Sequence, residues 1–208
     1  MDSLATDRWS DAFIGGALCL DFANTVSGSL KDRSRSRLTR YDELLSWCHA
    51  AGSLDPADAA ALMRLAEADP RRAANLLARA LELREALYRV FSALAAGSVA
   101  PGADLELVNR ALRESMRHLA ITPRAGTFAW HWTSAADDLM SPLWPIVRSA
   151  AELLTGPELA LLRECGRCSW LFLDRSKNKR RRWCRMELCG NRAKSQRHYS
   201  RKTGRTGH

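Results

Sequence analysis

CGRCSWLFLDRSKNKRRRWCRMELCGNRAKSQRHYSR, residues 165–201, holds four of the chain's six cysteines in the spacing C-x2-C-x15-C-x4-C, at Cys165, Cys168, Cys184 and Cys189. Two close pairs separated by fifteen residues suit a tetrahedral ion. Each pair grips one edge, and the segment between folds back to bring the second pair round. Four thiolates favour one structural zinc, and the spacing is unlike that of a ferredoxin. Disulfides are the competing use of paired cysteines, and they need an oxidising compartment. The amino terminus, MDSLATDRWSD, has neither the basic nor the apolar region of a secretory leader. The expectation is a zinc module in a cytoplasmic protein.

Charge says what surrounds that module. Residues 163–208 carry fifteen Lys and Arg against Glu164, Asp174 and Glu187, a net +12, whereas the whole chain is +9. Residues 1–162 are therefore at −3, with seventeen basic and twenty acidic side chains. Positive charge segregated on one segment is the electrostatic footprint of a phosphate-backbone binder. Some arginines have a second use. Four thiolates around Zn²⁺ leave a formal −2, which Arg167, Arg185 and Arg192 are placed to offset.

Within the module, Trp170–Leu173 is a short apolar run suited to a buried strand, and residues 174–179 (DRSKNK) are turn-rich. Residues 180–183 then return toward Cys184, which predicts a β-hairpin held at its base by the metal. A polar helix is expected from Gly190 to about Tyr199, with Lys194, Arg197, His198 and Arg201 on one face. The candidate nucleic-acid contacts are Lys177, Lys179, Arg180, Arg181, Arg192, Lys194, Gln196, Arg197 and Arg201. Arg192 and Gln196 are the ones suited to base edges, through guanine and adenine respectively.

These residues carry a resemblance. Asp174-x-Ser176, Arg181-Arg182-Trp183-Cys184, Met186, Cys189-Gly190-Asn191-Arg192 and Lys194 resemble the CGNR zinc finger, a family named for that tetrapeptide. The resemblance implies one structural zinc, a hairpin-plus-helix finger of treble-clef-like form, and duplex DNA as the partner.

The rest of the chain reads as an α+β body, mainly helical with a small sheet, over residues 1–156. The finger takes residues 157–208, beyond a hinge at Thr155-Gly156-Pro157. No stretch approaches the ~18 apolar residues of a membrane span. Phe13–Val26 alternates Leu18, Leu20 and Phe22 against Cys19 and Asp21, which predicts a half-buried strand. Asp21, Asn24 and Thr25 are read as turn residues, and residues 27–38 as a flexible basic loop. Thr39-x-x-Asp42 predicts a capping box for a helix burying Leu44, Leu45 and Cys48 and stopping at Gly52. Asp55-Pro56 opens a second helix with Leu62 and Leu65 inward. The third and longest, residues 70–96, repeats apolar residues at gaps of three and four from Ala73 to Leu94. A fourth, from Asp104, turns Leu105, Val108, Leu112 and Met116 inward. Residues 119–121 and 127–132 predict two strands around a Pro123/Gly126 turn. Ser141-Pro142 begins a last helix burying Leu139, Leu143, Ile146, Ala150 and Leu153.

Gly15-Gly16, Leu20-Asp21-Phe22, Asn24-Thr25 and Leu44-x-x-Trp47 resemble the ABATE domain, which commonly precedes a CGNR finger and is described as a stress-induced transcription regulator. The resemblance implies a regulator whose body senses an effector or forms a homodimer.

Catalysis finds little support. The body offers His49, His118, His131, Cys19 and Cys48, but no nucleophile elbow, P-loop, dinucleotide fingerprint or zinc-protease motif. Cys19 and Cys48 lie in apolar patterns that predict core thiols, and four thiolates leave the metal no open position. The expected function is a non-enzymatic regulator binding duplex DNA. The rival is RNA, since Trp170, Phe172, Trp183 and Tyr199 lie among the cations and single-stranded RNA stacks on exposed rings. A protein-interaction module with a solvated basic tail is the third reading.

Overall fold

The computed structural model describes residues 8–27, 33–133 and 135–195. Among the described residues the body is built on six α-helices: α1 (Leu18–Ala23), α2 (Tyr41–Ala50), α3 (Pro56–Ala68), α4 (Pro70–Ala95), α5 (Gly102–Met116) and α6 (Trp144–Thr155). Three antiparallel two-stranded ladders accompany them: β1 (Val26–Ser27) with β2 (Arg35–Ser36), β3 (Leu119–Arg124) with β4 (Thr127–Trp132), and β5 (Leu162–Glu164) with β6 (Leu171–Leu173).

The helix starts follow from local chemistry. Asp55 accepts from the amide of Ala57 at 2.9 Å and Asp69 from that of Arg72 at 2.9 Å, each with a proline in the first turn behind it. Those prolines lack an N–H only where a helix has none to pair. The box that opens α2 is closed by Glu43 rather than Asp42. Its carboxylate accepts from the Thr39 amide and hydroxyl, at 2.6 and 2.8 Å, and from the Arg40 amide at 3.3 Å. Asp42 pairs with Arg40 instead.

Helix α4 is the axis of the body. Ala73, Leu76, Leu77, Ala80, Leu83, Leu87, Val90 and Phe91 are buried along it, as the three-and-four gaps predict. Helices α1, α2, α3 and α5 pack against it, and α6 lies across α1 and α5. Full burial of a side chain such as Leu87 is worth about 1.5–3 kcal/mol. Leu139, Leu143, Ile146, Ala150 and Leu153 are buried as expected. Leu65 and Met116 are not, at 39% and 45% exposed, because α3 buries only Leu62 and α5 turns Val108 and Ser115 inward, which leaves Met116 on its outer side.

Two expectations in the first forty residues give way. Residues 18–23 are helical, not a strand: Cys19, Leu20, Asp21, Phe22 and Ala23 are all buried, and an element covered on every side shows no face to periodicity. In the basic segment after Val26, of which residues 28–32 lie outside the described residues, Ser36 and Arg35 form β2 and pair with Val26 and Ser27. Two of its arginines are committed within the fold, Arg33 to Glu85 and Arg37 to Asp11, both at 3.1 Å, while Arg35 is exposed.

Gly156 sits where α6 ends, and a 3-10 turn (Pro157–Leu161) leads directly into β5. Leu162, Leu171 and Leu173 belong to the same buried cluster as Leu20, Phe22 and Leu87.

Candidate metal centre and basic surface

The finger begins with β5 and β6, registered Leu162↔Leu173, Arg163↔Phe172 and Glu164↔Leu171. The first cysteine pair lies in the connection between them, where the Cys165 amide donates to the Trp170 carbonyl at 2.8 Å. The ladder partner of residues 171–173 is thus the segment before the first cysteine, not residues 180–183. The reason is burial. Leu171, Phe172 and Leu173 are 0%, 0% and 4% exposed, and a run of three arginines could not pack beside them. Residues 180–183 return outside the ladder, and the Arg182 carbonyl accepts from the Gly166 amide at 3.0 Å.

The second pair is set by a single wide turn, Met186–Gly190, in which the Arg185 carbonyl accepts from Cys189 and Gly190 at 3.0 and 3.2 Å. A side chain at Gly190 would collide with the Met186 sulfur and press on Trp183. The backbone from 191 to 195 is helical, which matches the expected start of the polar helix. Gln196, Arg197, His198, Tyr199 and Arg201 lie outside the described residues.

The four sulfurs all lie within 4.8 Å of one another. Cys168 and Cys184 are 3.4 Å apart and Cys184 and Cys189 3.6 Å. A tetrahedral ion with Zn–S bonds of ~2.3 Å needs sulfurs ~3.8 Å apart, so the cluster fits zinc. Among the described residues no other group of metal-ligating side chains converges this way. Cys165, Cys184 and Cys189 are buried and Cys168 half-buried. Crowding sets these thiols against one another: a hydrogen bond with Cys165 pushes the Cys184 thiol up to about 12, while Cys168 is raised and Cys165 lowered. One cation shared by four thiolates removes that conflict. The centre is a closed structural zinc site.

Around it the arginines divide into two sets. Arg175 pairs with Glu158 at 2.8 Å, Arg163 donates to the carbonyls of Ala160 and Leu162, and Arg185 donates to the Asp11 carbonyl at 3.0 Å. Arg181 donates to the Trp183 and Cys184 carbonyls and lies 4.7 Å over the Phe172 ring. Arg185 is therefore a tie to the body rather than a partner of the thiolates, and Arg181 braces the metal loop. Lys177, Lys179, Arg180, Arg182, Arg192 and Lys194 form the second set. They are exposed, and among the described residues none has an acidic partner within ion-pair distance.

The loop that carries three of them, Lys177, Lys179 and Arg180, is pinned at both ends by one buried carboxylate. Asp174 accepts from the Ser176 hydroxyl at 2.6 Å, the Ser176 amide at 3.0 Å and the Arg181 amide at 2.8 Å. These bonds, the Ser176 hydroxyl first, hold its carboxyl below the usual range. Asp174-x-Ser176 is thus the clasp of the cationic loop.

Sequence reasoning missed how the finger joins the body. Asn24 bonds both backbone groups of Leu171, donating to its carbonyl and accepting from its amide, each at 2.8 Å. The Gly15 carbonyl accepts from Leu173 at 2.8 Å, and the Val26 carbonyl from the Trp170 indole at 2.9 Å. Gly15 is itself held by Asp21, which accepts from its amide at 2.6 Å. A Cβ on Gly15 would meet that carboxylate at 2.9 Å, and Gly16 takes φ +83, where glycine is favoured. Burial pushes Asp21 up to about 6 against the pull of the Gly15 and Ile14 amides. Asp21, Asn24 and the two glycines are therefore the docking apparatus of β6. The available signal was polar residues embedded in an apolar run, since buried polar groups are almost always bonded.

The catalytic candidates disperse. His118 stacks on Trp144 at 4.1 Å, while His131 lines a separate cleft with His49. Cys19 and Cys48 are fully buried, and burial pushes both thiols up to about 12. Neither is a nucleophile at neutral pH.

Fold and site together define a helical body bearing a closed four-cysteine zinc finger with an unpaired basic surface. Residues 16–157 match the model of the ABATE family, described as "Putative stress-induced transcription regulator", and residues 162–202 match that of the CGNR zinc finger. The chain belongs to the ABATE family and carries a CGNR zinc finger behind that domain. Neither is an enzyme family. No curated protein matches the chain, and none of the described helices is long and apolar enough to cross a membrane.

Proposed function

We propose that this protein is a transcription regulator that binds duplex DNA through its finger, with the helical body as the sensory or assembly part. One observation carries the reading: six exposed cations without an acidic partner stand on a loop clasped by Asp174 and on the helical turn that follows Cys189. Cations held on fixed backbone lose little entropy on meeting phosphates and release condensed counterions when they do. Arg192, within the CGNR tetrapeptide, is the residue best suited to a guanine edge. Four metal-binding thiolates and two buried thiols, none of them in a disulfide, suit the reducing cytoplasm in which such a regulator works.

Packing of the rings favours duplex DNA over single-stranded RNA. Phe172 is fully buried, the Trp170 indole is tied to Val26, and Trp183 lies against Gly166 with Arg182 over it at 5.6 Å. Such rings serve the finger's own small core rather than base stacking, which needs open faces. The test is competition between duplex DNA and single-stranded RNA of matched length for the intact zinc-loaded protein. Duplex DNA should compete better by about tenfold or more; RNA winning by a similar margin overturns the assignment.

A further inference from the structure

The body contains a cleft of about 570 Å³ where α4, α5 and the start of α6 meet, within the range of small-molecule sites. Its floor is apolar: Leu76, Leu83, Trp144 and Val147 line it and are all buried. The indole of Trp144 is immobilised by His118 stacked at 4.1 Å and Trp132 tilted at 5.8 Å, so that wall is rigid. The rim is cationic. Arg72 and Arg79 from α4 and Arg110 from α5 line the opening, and among the described residues none of them has an ion-pair partner. On the same two helices Arg89 and Arg113 are paired with Asp104 and Glu106, and Arg117, just past the end of α5, is paired with Glu114.

We infer that this cleft binds a small organic monoanion with an apolar body, such as an aromatic or short-chain carboxylate. The guanidiniums supply the forked donors a carboxylate accepts, and the floor takes the hydrocarbon. The acidic residues at the cleft limit the charge it tolerates. Glu114 is engaged by Arg117 at 3.1 Å, and Asp138 accepts from the Met140 amide at 2.8 Å. Glu82 lines the same wall. With Glu114 neutralised by Arg117, Glu82 and Asp138 beside three guanidiniums leave one positive charge, which admits one negative charge and opposes a phosphate ester or nucleotide. The site is remote in chemistry from the finger and stands without the nucleic-acid reading.

Calorimetric titration of the full zinc-loaded chain tests it, with 1-naphthoate as the probe and 1-naphthalenemethanol as its neutral counterpart. Naphthoate should bind one to one with a Kd of about 1 mM or tighter. The alcohol should bind about tenfold or more weakly, as expected for loss of a charged hydrogen bond. The exposed double variant Arg79→Gln/Arg110→Gln should weaken naphthoate by about tenfold and leave the alcohol unchanged, whereas Arg64→Gln, on α3 away from the cleft, should alter neither. Naphthoate that fails to saturate, or that binds the double variant as tightly as the wild type, overturns the inference. Duplex-DNA affinity of the double variant should stay at the wild-type value, which separates failure here from failure of the DNA assignment.

Discussion

Two of the chain's hairpins meet opposite circumstances. In β3–β4, six residue pairs place Leu119, Ile121, Pro123, Phe128, Trp130 and Trp132 on one face. Only its base packs on Trp144, and Ile121, Phe128 and Trp130 remain 61%, 71% and 53% exposed. The β5–β6 ladder has half as many pairs, yet Leu171 and Leu173 enter the body's core while Phe172, between them, enters the metal module's. The period of two along one strand stitches two cores together. Two-stranded ladders are marginal alone, so what covers a strand outweighs how many bonds it makes. The shorter hairpin is the stronger element because Asn24, Gly15 and zinc hold it.

Removing zinc should produce the largest separation between the two. Metal supplies about 10–16 kcal/mol in finger peptides of this kind. Chelation should therefore release residues 174–195 from fixed structure while β3–β4 and the helices stay as they are. Amide spectra with and without chelator check this; a finger that keeps its dispersed signals in chelator contradicts it.

Asn24→Ala comes next. It strands the amide and carbonyl of Leu171 in the core, and unsatisfied buried groups cost about 1–3 kcal/mol each. A loss of about 2–4 kcal/mol should appear as a melting temperature lower by about 10 °C. The matched change on the other hairpin, Phe128→Ser, at a ring 71% exposed, should move stability by no more than about 0.5 kcal/mol. Equal losses from the two would remove the distinction between docked and undocked strands.

Asp21→Asn gives a smaller effect that depends on pH. Burial raises the carboxyl from its ordinary 3.8 to about 6, so the folded state holds the proton more tightly than the unfolded chain. The wild type is therefore most favoured below pH ~4 and loses that contribution as pH rises through ~6. Asparagine keeps an acceptor for Gly15 without a charge to bury. The variant should match the wild type at pH ~4 and exceed it by about 2–3 kcal/mol at pH ~7.5. Denaturant melts at both pH values measure it, and a gap independent of pH refutes the mechanism.

Much of this was legible beforehand, and the parts that were not share a cause. The metal ligands could be read because ligand spacing is local, and α4 because one long stripe of apolar residues declares its face. The β3–β4 turn could be read from Gly126 for the same reason, but Pro123 misled, since β3 runs on through it to Arg124. The pairing of residues 171–173 with 162–164 could not, since nothing local separates that partner from residues 180–183. Asn24 looked like a turn residue because its partner, Leu171, is 147 positions away. The six residues of α1 hid their helix by being buried on all sides. Among the basic residues, sequence showed the charge but not which cations were already committed. Arg181 and Arg185 became braces only once their carbonyl acceptors were placed.

The central claim is that the clasped cationic loop meets phosphates, and the salt dependence of duplex binding tests it most directly. The six cations without an acidic partner among the described residues predict a slope of log K against log salt of about −5 or steeper, and replacing Lys177, Lys179, Arg180 and Arg182 with alanine should flatten it by about 3–4. Zinc content and melting behaviour should stay unchanged in that variant. A variant that keeps its zinc and binds duplex DNA with the wild-type slope would contradict the account.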